Sequence, residues 1–292
     1  MNPDTPADDA SILYYDADYP SLELGPASPD AVRALARIGL LGDVGFYAEQ
    51  AAAHAAGGRP VLELGCGTGR IAIPLARRGF AVWGVEIADA MLDHLRDRLT
   101  AESADTRARL RLVRQDAAAL DLPALAPPHP GAGLLLLPFN LLMLIPDRAQ
   151  AVRALAAGAR HLAPDGRFAL DVMNPATLPQ EADHAPAPSQ PRRNPRTGHP
   201  YVRHAQLSAV DGRGVQRITG WYDELRPDGG IHTTRFAFDW RMIDRAELTA
   251  MLAEAGLRAD AFHGDFDGAP WTDASPRIVA VGGRAGSPQQ AG

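Results

Sequence analysis

Residues 61–70 read VLELGCGTGR: a short apolar run containing Glu63, then glycine at every second position, Gly65, Gly67 and Gly69, and Arg70. A chain that leaves a buried strand through such a loop turns tightly and brings its backbone close to a ligand, because no Cβ intervenes and positive φ is permitted. The spacing narrows the choice of ligand. A phosphate loop needs a Gly-Lys-Ser/Thr ending, and the sequence contains no lysine. The dinucleotide fingerprint is G-x-G-x-x-G, whereas this loop is G-x-G-x-G, although an acidic residue, Glu86, ends the next apolar run as that fold requires.

Working outward, strand and helix patterns alternate. RIAIPLARRG reads as a helix, AVWGVE as a strand, and ADAMLDHLRDRLTA as an amphipathic helix with Met91, Leu92, Leu95 and Leu99 on one side. The charges of that helix read as a solvated face. RLRLVRQD, GLLLLPF and GRFALDVM read as strands, with a helix over DRAQAVRALAAGARHL. This alternation predicts parallel β-α units in a doubly wound α/β sheet, with ligands at the C-terminal strand edge. Pro74 lies too deep for a helix that starts at Thr68, so the helix starts later or kinks. Upstream, Pro29 to Ala56 is helical in pattern with a break between Gly39 and Gly45.

Composition changes at Asn174. A Pro-rich stretch to residue 200 reads as a loop or lid, and its basic RRNPR (192–196) as a solvated loop. YVRHAQLSAV, VQRITGWYDEL and IHTTRFAFDW then have period-two character and are separated by DGRG and RPDGG, which are hairpin signals. They predict an antiparallel insertion with Phe236, Phe238 and Trp240 on one face. A helix over DRAELTAMLAEAG and strands near 258–263 and 277–282 complete the core. The expected division is an N-terminal arm (1–28, its first ten residues disordered), a core (29–173), the insertion (174–240), the returning core (241–284) and a disordered tail (285–292).

The formal charge of −6 and pI near 5.8 give no electrostatic reason to expect nucleic acid or an anionic membrane as partner. The longest apolar run, LLLLPFNLLMLI at 134–145, is too short to span a bilayer. The single cysteine, Cys66, forms no internal disulfide, which points to a cytoplasmic protein, and reads as a small packing residue. The absence of lysine excludes a lysine Schiff base. No Cys/His grouping has metal-ligand spacing, so no metal is expected.

Glu63, the three glycines, Glu86 and Asp116 together suit an adenosine with a short charged tail. This set resembles class I S-adenosylmethionine-dependent methyltransferases of the small-molecule type, and the resemblance runs from about Tyr14 to Val281. VLELGCGTGR is similar to the family's first motif, VWGVEIADAML to the second, QDAAALDLP to the third, GRFALDV to the fifth-strand region, and LLLPFNLLMLI to the stretch after the fourth strand. The closing GDFDGAPWTDASPRIVAV also looks like the end of those enzymes. The resemblance implies a seven-stranded sheet whose last strand is antiparallel, and S-adenosylmethionine as cofactor. It implies that Glu63, the glycines and Arg70 line the methionine and ribose part, while Glu86 holds the ribose hydroxyls. Ile87 and Met91 would flank the adenine, and Asp116 with Ala117 would meet its amine. Leu137, Pro138, Phe139 and Asn140 would sit nearest the sulfonium, with Tyr14 or Tyr15 capping the carboxylate end.

In-line methyl transfer needs alignment and exclusion of water, so the 174–240 insertion is the expected lid. Tyr201, Trp221, Tyr222, Phe236, Trp240, Arg235 and Arg241 are its candidates for contact with substrate. Asn140 is the candidate for orienting the acceptor, and His204, His232 and His263 for taking its proton. The expected acceptor is a nitrogen of a small metabolite or natural-product intermediate. The alternatives are an oxygen or carbon acceptor, or a protein of this fold that binds the cofactor without methylating. The aromatic hairpins serve equally as a homodimer interface.

Overall fold

The computed structural model describes residues 10–25, 29–125, 130–194 and 196–286. Two short helices, α1 (Ala10–Leu13) and α2 (Tyr15–Asp18), form the arm, and α3 (Pro29–Arg37) and α4 (Asp43–His54) follow. Gly39 and Gly42 both take positive φ between α3 and α4, where the sequence signals a break. Then come β1 (Val61–Leu64), α5 (Ala72–Arg77), β2 (Val82–Glu86), α6 (Asp89–Leu99), α7 (Ala104–Arg109), β3 (Leu110–Arg114), β4 (Ala132–Leu137), α8 (Arg148–Arg160) and β5 (Leu162–Met173). The insertion carries β6 (Ala187–Pro188), β7 (Arg192–Arg193), β8 (Pro200–Leu207), β9 (Val215–Leu225) and β10 (Ile231–Arg241), after which α9 (Arg245–Glu254), β11 (Leu257–His263) and β12 (Arg277–Arg284) finish the chain.

The main sheet has seven strands in the order β11-β12-β5-β4-β1-β2-β3. Only β12 runs against its neighbours. β4 sends Leu135 and Leu137 into the apolar cluster on one face and Leu134 and Leu136 into the cluster on the other. A strand covered on both faces reads as a continuous apolar run, which is why GLLLLPF lacks alternation. Each such leucine contributes about 1.5–3 kcal/mol of burial. The chain moves outward in both directions from β1 and β4, so their C-terminal ends define the crevice where such sheets bind ligands.

The insertion folds into a second, antiparallel sheet in the order β10-β9-β8-β6, with β7 also pairing β8. The Pro-rich stretch is thus partly strand, and RRNPR is not a solvated loop: Arg192 pairs with buried Asp18, and Asn194 is 3% exposed. Helix α5 begins at Ala72, which places Pro74 in its first turn, where a missing N–H removes no helical bond. Helix α7 is an addition to the elements read from sequence. Ser103 caps it by accepting from the Thr106 amide at 3.1 Å. The expectations of disorder for residues 1–9 and 287–292 lie outside the described residues.

Candidate functional site

The glycine loop leaves β1 with all three glycines at positive φ. A Cβ at Gly65 would lie 2.6 Å from Leu141 Cδ1, and one at Gly69 would lie 2.9 Å from Leu95 Cγ. At Gly67 the nearest atom is the Tyr15 hydroxyl, at 3.9 Å. Packing therefore fixes Gly65 and Gly69, whereas Gly67 faces room for a ligand. Glu86, at the end of β2, reaches back to this loop. Its Oε2 accepts from the Gly67 amide at 3.1 Å, and its Oε1 from the amides of Ile87 at 2.8 Å and Ala88 at 3.0 Å. Glu63 is 2% exposed and its Oε2 has no hydrogen-bond partner among the described residues. Burial pushes its carboxyl up to about 8, with Arg70 opposing the shift and Glu86 adding to it. An orphaned buried acceptor beside a backbone cradle suits a ligand that brings a cation.

Asp116, beyond β3, accepts from the Ala118 amide at 2.8 Å and caps the short 3-10 turn that contains Ala117. Met91 is fully buried with Ile12, Ala88 and Ala90, so the arm closes over this end of the crevice. Leu137 is fully buried at the end of β4, and Pro138 is buried beside it.

After Pro138 the chain makes an unusual turn: Phe139 and Asn140 both have positive φ. Two consecutive non-glycine residues in that region are costly and need support from their surroundings. Asp171, on β5, supplies it by accepting from the Phe139 amide at 2.7 Å and from the Tyr47 hydroxyl at 2.5 Å, and it pairs with Arg277. Arg277 also donates to Asn140 Oδ1 at 2.7 Å. Asp171 and Arg277 are each 1% exposed. The held turn sets the Phe139 ring against Tyr19 and Tyr15, with ring centroids 4.9 and 6.4 Å away, and Tyr15 lies 5.1 Å from Tyr19.

Two carboxylates of the arm fasten it on opposite sides. Asp16 Oδ1 accepts from the Thr68 hydroxyl at 2.8 Å inside the glycine loop, and its Oδ2 pairs with Arg98 at 2.8 Å. Arg98 also donates to the Thr68 carbonyl and hydroxyl, so this charge on α6 is a latch and not merely part of a solvated face. Asp18 is 3% exposed and accepts from the hydroxyls of Tyr201 at 2.8 Å and Tyr222 at 2.6 Å on the second sheet. The arm therefore bridges the glycine loop and the second sheet.

The structure separates several residues that the sequence reading grouped. Tyr14 belongs to the lid's core, stacked on Tyr222 at 4.2 Å with its hydroxyl donating to Glu224 at 2.8 Å, so Tyr15 alone of the pair reaches the glycine loop. Arg70 is buried, paired with Asp43, and lies over the Phe139 ring at 5.3 Å. His204 stacks on Trp221 at 4.7 Å on the face of the second sheet opposite Tyr201, Tyr222 and Phe236. Strand alternation puts Arg235 on that outer face too, and Trp221 and Arg235 line a cavity of about 470 Å³ there. His232 is exposed near the β9–β10 turn. His263 ends β11, bonds the Gly268 carbonyl at 3.0 Å and packs edge-on to Phe46. Arg241 pairs with Glu247 at 2.5 Å. Of the predicted histidines none is drawn to the Tyr15–Tyr19–Phe139 rings. Of the predicted lid aromatics, Tyr201, Tyr222, Phe236 and Trp240 share the inner cluster. Sequence reading missed Tyr19, Asp16 and Asp18. Their only signal is the density of aromatics and acids in YYDADYP.

Residues 61–166 match the methyltransferase-domain family, and a sheet of this order, with a glycine cradle at the end of β1 and carboxylates on β1 and β2, is the architecture of a class I S-adenosylmethionine-dependent methyltransferase. Over 225 residues it is 26% identical to the cypemycin N-terminal methyltransferase of a Streptomyces species, covering 77% of this chain and 82% of that one. The solved CcbJ methyltransferase of Streptomyces caelestis is 27% identical over 98% of this chain and 100% of its own, with a TM-score of 0.72. CalS10, an amino pentose methyltransferase of Micromonospora echinaspora solved with S-adenosylmethionine bound, shares the fold at 24% identity, 82% and 89% coverage and a TM-score of 0.61. No helix among the described residues is long and apolar enough to cross a membrane, and no cluster there has the makings of a metal site.

Proposed function

We propose that the protein methylates a nitrogen of a small natural-product intermediate, and that the Tyr15–Tyr19–Phe139 enclosure beside the glycine loop is where acceptor and cofactor meet. The packing of these three rings is the observation that carries the reading. Glu86 would hold the ribose hydroxyls of S-adenosylmethionine, Glu63 its ammonium, Gly65, Gly67 and Gly69 its sugar and chain, Ile87 and Met91 its adenine faces, and Asp116 with Ala117 the adenine amine. When bound, the cofactor would supply a methyl group on cationic sulfur, its S–C bond breaking as the acceptor nitrogen's N–C bond forms, so that S-adenosylhomocysteine leaves as a neutral thioether and the methylated ammonium gives its proton to solvent. The rings contribute in two ways. They exclude water, and their negative faces favour a positive charge that passes from sulfur to the methylated nitrogen. Holding acceptor and methyl in line is worth on the order of 7–11 kcal/mol of barrier.

A neutral amine attacks through its own lone pair and needs no strong base. That agrees with histidines sited elsewhere, since a hydroxyl acceptor would call for a proton acceptor at the rings. Asn140 is engaged by Arg277, so its part in the reaction is to shape the turn that presents Phe139. The name of the cypemycin N-terminal methyltransferase supports nitrogen for this chain as well.

The test is transfer of a labelled methyl to matched acceptor pairs that differ only in carrying an amine or a hydroxyl. The amine member should be labelled. Labelling of hydroxyl members with the amines refused would overturn the reading.

A further inference from the structure

Arg203, on β8, faces the inner side of the second sheet with Tyr201 and Ala205. Its guanidinium lies over the Phe236 ring at 4.7 Å. That ring has space because its cross-strand partner is Gly220, where a Cβ would come within 2.6 Å of Phe236 Cζ. Gly220 thus leaves room on the inner face for this ring and for the guanidinium over it.

Among the described residues the only carboxylate paired with Arg203 is Asp18, at long range. Its Nε is buried and has no hydrogen-bond partner among the described residues, and it stands 3.8 Å from Asp18 Oδ2, beyond bonding reach. Asp18 is already taken up by direct contact with Arg192 and by the hydroxyls of Tyr201 and Tyr222. One carboxylate facing two guanidiniums leaves one positive charge over, on an Arg203 side chain that is 22% exposed and so open to an anion from outside. The position relative to the reacting centre is informative. Asp18, 3.8 Å from the guanidinium, immediately precedes Tyr19, the residue whose ring packs on Phe139.

We infer that Arg203 is the anchor for an anionic group, a carboxylate or a phosphate, carried by the methyl acceptor away from its nitrogen. The substrate class is then an acidic amine, held at one end by the fork of Arg203 and offered at the other to the Tyr15–Tyr19–Phe139 enclosure. The word amine rests on the function proposed above; the anion site does not. A carboxylate or phosphate ester accepts two parallel N–H bonds from a guanidinium, and Phe236 beneath keeps the fork from turning away.

The experiment titrates the full-length protein, saturated with S-adenosylhomocysteine, with acetate and separately with inorganic phosphate, following the Arg203 Nε–Hε resonance by nitrogen-15 NMR. That resonance is identified by its loss in Arg203→Lys. Saturable movement of the Arg203 signal in the wild type, with anion binding measured by calorimetry weakened about tenfold or more in Arg203→Gln and only partly in Arg203→Lys, is the expected result. The tighter of the two anions identifies the acid. Should Arg203→Gln fail to fold, the wild-type resonance and Arg203→Lys still decide. An Arg203 signal unmoved by either anion, or anion binding unchanged in Arg203→Gln, would overturn the inference. No turnover enters this readout, so a failure to methylate amines would leave it standing, and its own failure would leave the nitrogen reading intact.

Discussion

Arg277, the first residue of β12, donates to the side-chain carbonyl of Asn140 at 2.7 Å and so ties the last strand of the sheet to the turn that follows β4. Because the same guanidinium pairs with Asp171, and Asp171 binds the Phe139 amide, one buried cluster holds two adjacent residues at positive φ. Asn140→Ala removes a residue type that tolerates this conformation and orphans the Arg277 donor. It should cost about 2–4 kcal/mol in urea unfolding. Asn140→Gly keeps the conformation and loses only the bond, so it should cost less. Equal losses would mean that the turn is not strained.

Asp171→Asn tests the other half of the cluster. Removing the carboxylate leaves Arg277 as an uncompensated buried charge, for which losses of about 3–5 kcal/mol are expected. Unfolding measured near neutral pH should show this. A loss below about 1 kcal/mol would contradict the role given to Asp171.

Glu63 makes stability depend on pH. Its carboxyl is raised to about 8 in the fold, so between the unfolded value near 4.5 and pH 8 the native state binds a proton that the unfolded state has lost. Stability of the cofactor-free protein from this group is therefore present below that window and falls as pH rises through it. Glu63→Gln should flatten the decline between pH 5 and pH 8, as read by denaturant midpoints. If Glu63 meets the cofactor's ammonium, the same substitution should also weaken S-adenosylmethionine at pH 8 more than at pH 6. An unchanged pH slope in the variant would remove Glu63 as its source.

The arm spans the glycine loop and the second sheet. Asp16→Ala breaks its bonds to Thr68 and Arg98, and release of S-adenosylhomocysteine should speed up by about tenfold in stopped-flow displacement, with little loss of overall stability. An unaltered release rate would show that the arm covers the crevice without closing it.

The alternation of strands and helices was readable because each element has its own apolar period, and the residues proposed for the cofactor end could be picked out because they lie within one contiguous stretch from Glu63 to Asp116. The acceptor side was not. As proposed, it draws on Tyr15 and Tyr19 on the arm, Phe139 after β4 and Arg203 on β8, which no local spacing connects. His204 and Trp221 show the limit plainly: period two says that they share a face, but which face looks inward is decided by where the arm packs. Likewise the arginines of RRNPR look solvated until Asp18, far away in sequence, is brought against Arg192.

Calorimetric titration of the wild type and Glu86→Ala with S-adenosylmethionine and S-adenosylhomocysteine addresses the cofactor site at its base. Wild type should bind both, and Glu86→Ala should bind each about tenfold or more weakly while unfolding at nearly the same denaturant concentration. Equal affinity in the two proteins would contradict the placement of the adenosyl group between the glycine loop and β2.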